Sequence, residues 1–143
     1  MKINSLHNFI ITYLLLLAVF GLIDGIWLGV VAKNFYFAEL GDLLRDDFLL
    51  FPGLIFYALH PLMLWFWGFA KAKSLRELLL NTALYGFGAY ATYDLSNWAT
   101  LKNWSQQVVI VDIIWGTVAS MLVAGIVWFL VNKKMVVTSE THT

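Results

Sequence analysis

The sequence predicts an all-α protein that lies in a membrane as an antiparallel four-helix bundle. Of its 143 residues, 61% are hydrophobic and only 13% are charged, whereas soluble domains have about 45–50% apolar and about 25% charged residues. The apolar residues form long blocks instead of periodic stripes, which is typical of membrane helices. Four such blocks are separated by short connections, and short connections make consecutive helices antiparallel.

The composition narrows the possible partners and chemistry. The formal net charge is zero, so nothing in the composition favours binding to nucleic acid. The chain has no cysteine, which excludes thiol catalysis, disulfide bonds and cysteine-ligated metal sites. It also lacks the H-E-x-x-H, P-loop and GxGxxG motifs. We therefore expect no metal and no cofactor, and the residues leave open whether the protein is an enzyme.

The first predicted span covers residues 8–31, which is long enough to cross a hydrocarbon core of about 30 Å. A cleaved signal peptide is the alternative, because Lys2 precedes the run and residues 30–32 resemble a cleavage site. The apolar core of a signal peptide has only about 7–15 residues, whereas this run is longer and contains Asp24. The sequence therefore favours an uncleaved helix.

Residues 33–47 form the first connection. They mix aromatic residues and leucines with acidic residues and Arg45, and the aromatic residues come first. This mixture is typical of a short interfacial helix with an aromatic anchor at its start. A solvated acidic loop is the alternative.

The second predicted span, residues 48–70, contains two prolines. Pro52 suits the first turn of a helix. Pro61 lies in mid-helix, where it removes a backbone hydrogen bond and leaves the carbonyl of Tyr57 without its usual partner. In lipid this predicts a kink against neighbouring helices. His60 lies next to the kink, either as a functional group or as a partner for a freed carbonyl.

The third and fourth predicted spans cover residues 78–98 and 107–131. Between them, Asn103 followed by Gln106 resembles a capping box for the last helix.

The four spans are predicted to form a single domain, residues 1–134, followed by a polar tail at 135–143 that we expect to be disordered. Lys and Arg in short loops favour the cytoplasmic side and so set the orientation. Six basic residues lie on the side of the two termini and three on the other, so we expect both termini in the cytoplasm. The six are Lys2, Lys71, Lys73, Arg76, Lys133 and Lys134, and the three are Lys33, Arg45 and Lys102.

Small residues recur every four positions on the first and fourth predicted helices, which is the pattern of closely packed membrane helices. Asp24 borders the first row and Asp112 begins the second. Both acids are therefore predicted on faces that are buried against other helices. The rows are Gly21, Gly25 and Gly29, and Gly116, Ser120 and Ala124.

Three acids are predicted to share one polar layer. At a rise of about 1.5 Å per residue, Asp24, Asp94 and Asp112 lie roughly 6–10 Å below the outer ends of their helices, and His60 lies deeper. Intramembrane acids are functional candidates by default, and the alternative is that these three stay wet near the interface. The candidate ligand-binding residues are Asp24, Trp27, His60, Tyr90, Tyr93, Asp94, Asn97, Asp112 and Trp115.

The three acids cannot all be ionised at low cost, because burial and neighbouring like charges both disfavour an ionised carboxyl group. No Lys or Arg lies within the apolar spans to compensate them. We therefore expect a shared proton, unless a cation is bound.

Three sequence blocks carry a resemblance to a known family. With four spans in this length, the chain resembles an uncharacterised bacterial integral-membrane family, catalogued as a domain of unknown function (number two-one-seven-seven). The resemblance covers almost the whole chain and implies a multi-pass protein of the bacterial inner membrane. The blocks are Asp24-x-Ile26-Trp27, Tyr93-Asp94-Leu95-x-Asn97-x-Ala99-Thr100-Leu101-Lys102 and Val111-Asp112-x-x-Trp115-Gly116.

Three functional hypotheses follow from these residues. The first is a site in the outer half of the bundle for a lipid or other small apolar molecule, with the acids as acid–base groups and His60 as a proton partner. The second is a subunit of a proton or cation conduit. The third is a structural or assembly partner whose polar groups only fasten the bundle. Membrane lipid is the expected partner in each case, and the oligomeric state stays open.

Overall fold

The described part of the chain is all-α and contains no strands. A computed structural model describes residues 6–140, with side chains as far as residue 132. Two of the helices continue into a π-helical turn, which we call a wide turn. The helices are α1 (Leu6–Ile26) with its wide turn Trp27–Val31, α2 (Lys33–Leu40) followed by the 3-10 turn Gly41–Leu43, α3 (Leu50–Leu64) with its wide turn Trp65–Phe69, α4 (Leu75–Thr100) and α5 (Gln106–Glu140).

Three helices are long and apolar enough to cross a membrane within the described residues. They are Leu6–Val31, Leu50–Phe69 and Gln106–Asn132. The predicted third span is α4, which has 26 residues but is not among them, because polar residues such as Asn81 and Asp94 interrupt its apolar sequence. The all-α class is confirmed, and a bundle of four spans stays a prediction.

The closest helix pair is α4 with α5, and small residues make the approach possible. A Cβ atom added at Gly86 would meet the carbonyl oxygen of Gly116 and the side chain of Ser120, and one added at Gly116 would overlap the ring of Tyr90. Ser120 and Ala124 are fully buried. The predicted burial of the small-residue row on the fourth span is therefore confirmed.

The predicted burial of the glycine row on α1 is wrong. No atom lies within 4 Å of a Cβ built at Gly21, Gly25 or Gly29. The buried row of α1 is instead Thr12, Leu16, Phe20 and Asp24, again at every fourth position. Large side chains fill the space between α1 and its neighbours. This helix therefore packs through side-chain contacts and not through close approach of the backbones.

The first connection contains the helix that its composition predicts. α2 ends at Gly41, whose φ of +46° is a conformation that favours glycine. The side chain of Glu39 accepts a hydrogen bond from Ser105 at the start of α5. The connection is therefore attached to the helical core, and its location at the membrane surface stays a prediction.

The predicted cap of the last helix at Asn103 is wrong. The hydroxyl of Ser105 accepts hydrogen bonds from the backbone N–H groups of Gln107 and Val108. Ser105 directly precedes the first helical residue, which is the position where a side-chain oxygen reaches those free N–H groups.

Helix α5 is described as far as Glu140, and the polar tail at 135–143 stays a prediction. Residues 141–143 of the predicted tail lie outside the described part, as do residues 1–5 with Lys2.

Helix α3 continues through Pro61 as far as Leu64. One turn before the proline, the carbonyl of Ala58 accepts a hydrogen bond of 3.0 Å from the hydroxyl of Tyr13 on α1. A side chain from a neighbouring helix therefore serves the backbone near the proline, as expected in lipid. The predicted bend itself stays a prediction.

The contact between α4 and α5 can be tested with matched glycine substitutions. We expect Gly86→Ala to lower the free energy of unfolding by about 1–3 kcal/mol, because the new methyl group meets backbone and not a flexible side-chain end. Gly25→Ala has open space and is expected to cause no loss. Unfolding in mixed micelles measures both, and equal effects would contradict the contact.

Candidate functional site

The carboxylate of Asp24 joins three helices. The side chain is 2% exposed. Its Oδ2 accepts a hydrogen bond of 2.8 Å from the hydroxyl of Tyr57 on α3, and its Oδ1 accepts one of 3.0 Å from the indole N–H of Trp115 on α5. Both oxygens are therefore engaged by protein donors, as a buried carboxylate requires.

A chain of side-chain contacts connects Asp24 with Asp112. The ring of Trp115 stacks on that of Trp27, with centroids 4.1 Å apart and planes 7° apart. The indole N–H of Trp27 donates a 3.2 Å hydrogen bond to the hydroxyl of Tyr36, and that hydroxyl donates to Oδ1 of Asp112. Asp112 and Trp115 are three residues apart on α5 and so share a helix face.

Tyr36 comes from α2, which is not one of the three candidate spans. Burial, reinforced by the hydrogen bond to Asp112, raises the pKa of Tyr36 above its usual range. The phenol therefore keeps its proton and acts as a donor to the carboxylate.

His60 lies between two hydroxyl groups. Its Nε2 is 3.1 Å from the Ser120 hydroxyl and its Nδ1 is 3.3 Å from the Tyr85 hydroxyl. The imidazole stacks on Phe20, with centroids 4.5 Å apart and planes 22° apart. The alternative that His60 serves a freed backbone carbonyl is wrong, because both ring nitrogens face side chains.

These groups surround one cavity of about 660 Å³. Its volume lies within the usual range of ligand sites, about 300–1,000 Å³. The cavity has mostly apolar walls, two carboxyl groups and one imidazole, and no Lys or Arg lines it. The lining residues are Asp24, Leu28, Tyr36, Pro52, Phe56, Leu59, His60, Tyr85, Ala89, Tyr90, Tyr93, Asp112 and Trp115.

Asp94 does not line this cavity, although its depth predicts a shared layer with the other two acids. Its carboxylate is fully buried, and neither oxygen has a hydrogen-bond partner among the described residues. The indole of Trp104 lies beside it, and the N–H of that indole is likewise buried without a partner. Asp94 therefore lies beside Trp104, just before the start of α5, and outside the lining of the cavity, although it is near enough to Asp112 for the two charges to interact.

The remaining candidate residues also divide into those that line or support the cavity and those that do not. Tyr90 and Tyr93 line the cavity, and Trp27 supports it from behind Trp115. Asn97 is half-buried and does not line it. The structure thus brings seven of the nine candidates together, and a role for any of them in binding stays a prediction.

Sequence reasoning missed four lining or supporting hydroxyl groups, those of Tyr36, Tyr57, Tyr85 and Ser120. Tyr57 lies one turn before His60, and Ser120 lies one turn after Gly116, so helical spacing could have placed both near the site. Nothing in the sequence could have identified Tyr36, because its position depends on how α2 folds back onto α5.

The comparisons with known proteins give one match. A family described as "Predicted membrane protein (DUF2177)" matches residues 9–130, which is most of the chain. The match agrees with the resemblance that the three sequence blocks carry. No curated protein and no solved structure matches the chain.

The hydrogen bonds by which Asp24 connects α1, α3 and α5 can be tested by removing the charge of its side chain. In Asp24→Asn, the amide oxygen can still accept from the indole N–H of Trp115, but the amide NH2 group then faces the Tyr57 hydroxyl, whose proton loses its acceptor. We expect a loss of about 1–3 kcal/mol in the free energy of unfolding, the usual cost of an unsatisfied buried polar group.

The control is Asp42→Asn, because Asp42 is exposed on the 3-10 turn. Unfolding followed by tryptophan fluorescence measures the stability of both variants. If Asp24→Asn is as stable as the control, the hydrogen bonds at Asp24 do not hold the three helices together as described.

Proposed function

Because the chain belongs to the DUF2177 family of predicted membrane proteins, we propose that it works within the bilayer and binds a small, largely apolar molecule there. One observation carries this proposal: a cavity of about 660 Å³ that places Asp24, His60 and Asp112 in otherwise apolar walls. A site with a few convergent polar groups in an apolar pocket is the usual form of a small-molecule site.

The two acids would have different roles. Asp24 already accepts hydrogen bonds on both oxygens, so it supports the cavity wall. The Oδ1 atom of Asp112 accepts a hydrogen bond from the hydroxyl of Tyr36. Its Oδ2 atom has no donor among the described residues. Asp112 is only half-buried. It is therefore the acid that can meet the polar end of a bound molecule.

The packing of α3 supports access from the bilayer. α3 packs along α1 but touches α4 at few positions, whereas its wide turn Trp65–Phe69 packs on α4. The two helices therefore meet at one end and separate at the other. Phe56 and Leu59 of α3 line the cavity and are still exposed, so the separation is bordered by apolar side chains that an apolar molecule can pass.

We also propose four spans, with both termini in the cytoplasm of a bacterial inner membrane. α4 has 26 residues, or about 39 Å at the rise of an α-helix, which exceeds a hydrocarbon core of about 30 Å. It packs extensively along α5, so its polar residues would lie against another helix and not against lipid.

A structural or assembly role is a second candidate, and the glycine row on α1 favours it. Gly25 and Gly29 are exposed, and nothing packs within 4 Å of the positions their Cβ atoms would occupy. Such rows permit close approach of another membrane helix. The conduit hypothesis has no comparable observation in its favour.

Filling the cavity tests the binding proposal. Ala89 lines the cavity, so we expect Ala89→Trp to displace a bound molecule by occupying its space. Native mass spectrometry of the purified protein measures the fraction that keeps a small molecule. We expect most of the wild type to retain one and most of Ala89→Trp to lose it.

The matched control is Ala18→Trp, because Ala18 is exposed on α1. This variant is expected to retain the molecule as the wild type does. A wild type that carries nothing, or equal retention in Ala89→Trp, would leave the structural role as the better conclusion.

Reporter fusions test the topology. Fusions after Lys73 and after Thr143 are both expected to report a cytoplasmic location, from the distribution of Lys and Arg. The two fusion sites lie before α4 and after α5. If the fusions report opposite sides of the membrane, α4 and α5 do not both cross it, and the four-span proposal is wrong.

A further inference from the structure

We propose that the cavity selects an organic ammonium ion, that is, a molecule with a positively charged amine head and an apolar tail. This inference rests on the proposed function and names the class of ligand. It follows from the charge of the lining, the aromatic walls and the position of the one free carboxylate oxygen.

The lining contains two carboxyl groups and no Lys or Arg. Both oxygens of Asp24 accept hydrogen bonds, and the indole of Trp115 can only donate. Buried negative charge without a partner is costly. A cation in the cavity would remove that cost, whereas a fatty acid or another anion would increase it.

Aromatic side chains provide the second attraction for a cation. Tyr90, Tyr93 and Trp115 line the cavity together with Phe56 and Tyr85. An ammonium group near the face of an aromatic ring gains about 0.5–2 kcal/mol, and more when water is excluded. An alcohol of the same shape gains none of this attraction. The walls therefore favour an amine over a neutral head group.

The free oxygen of Asp112 provides the point of contact. Its Oδ1 is held by Tyr36, which leaves Oδ2 as an acceptor without a protein donor in the described chain. An ammonium group has donors and no acceptor, so it complements this oxygen directly. A hydrogen bond between two charged groups is about twice as strong as one between neutral groups.

A bare metal ion fits less well. Among the described residues, no group of three or more His, Cys, Asp or Glu side chains could hold a metal. The space of about 660 Å³ is also far larger than one ion, and its walls are mostly apolar. An apolar tail would fill that space.

Three probes with the same tail separate the possible heads: dodecylamine, dodecanol and dodecanoate. Each is titrated into the wild-type protein in nanodiscs of zwitterionic lipid, with tryptophan fluorescence as the readout. The same titration with Ala89→Trp measures partition into the bilayer and is subtracted. We expect the amine to bind at least about tenfold more tightly than the alcohol, or about 1.4 kcal/mol, and the carboxylate to bind least.

Asp112→Asn is expected to remove the preference for the amine over the alcohol. Asp42→Asn changes the same group at an exposed position and is expected to keep the preference. The comparison of the three probes on the wild type does not use Asp112→Asn, so it stands even if that variant fails to fold.

Two results would overturn the inference in distinguishable ways. If the alcohol or carboxylate binds as tightly as the amine, and Ala89→Trp abolishes that binding, the cavity is a site but not for cations. If no probe distinguishes the wild type from Ala89→Trp, the proposed function fails as well. If sodium chloride alone changes the tryptophan fluorescence of the wild type more than that of Asp112→Asn, the site holds an inorganic cation instead.

Discussion

A carboxylate buried in an apolar bundle must have its oxygens satisfied by protein donors, and Asp24 sets the arrangement of its neighbours through this requirement. Its two donors, Tyr57 and Trp115, come from different helices. The hydrogen bonds therefore fix how α3 and α5 are rotated relative to α1. The stacking of Trp115 on Trp27 then carries the same constraint to α2 and to Asp112.

The cavity exists because the helices pack by two different means. α4 and α5 approach closely through Gly86, Gly116 and Ser120, whereas α1 is held away from α3 by bulky side chains such as Phe20. A bundle with one tight pair and two wider pairs cannot close uniformly. The space that remains lies where α3 separates from α4, and the polar groups are concentrated there.

The sequence predicted the helical class and the short helix of the first connection, because these depend on block length and composition. It also predicted from helical depth that Asp24 and Asp112 lie near each other, and both line the cavity. It failed where the rotation of a helix decides the outcome. Gly25 lies only one residue from Asp24, yet a rotation of about 100° per residue leaves it exposed. Asp94 lies beside Trp104 and outside the lining of the cavity. The position of Tyr36 could not be predicted, because no local sequence pattern specifies where a connecting helix folds back.

The unpartnered carboxylate of Asp94 has a consequence for biosynthesis. An aspartate in a single inserted helix costs up to about 2.5–3.5 kcal/mol, the value at the helix centre, and α4 is less apolar than the three candidate spans. If α4 crosses the membrane, as proposed, it gains its stability from α5, which follows after a connection of only five residues, 101–105. The two helices would then leave the translocon together as a hairpin, so that synthesis of α5 completes the insertion of the helix before it.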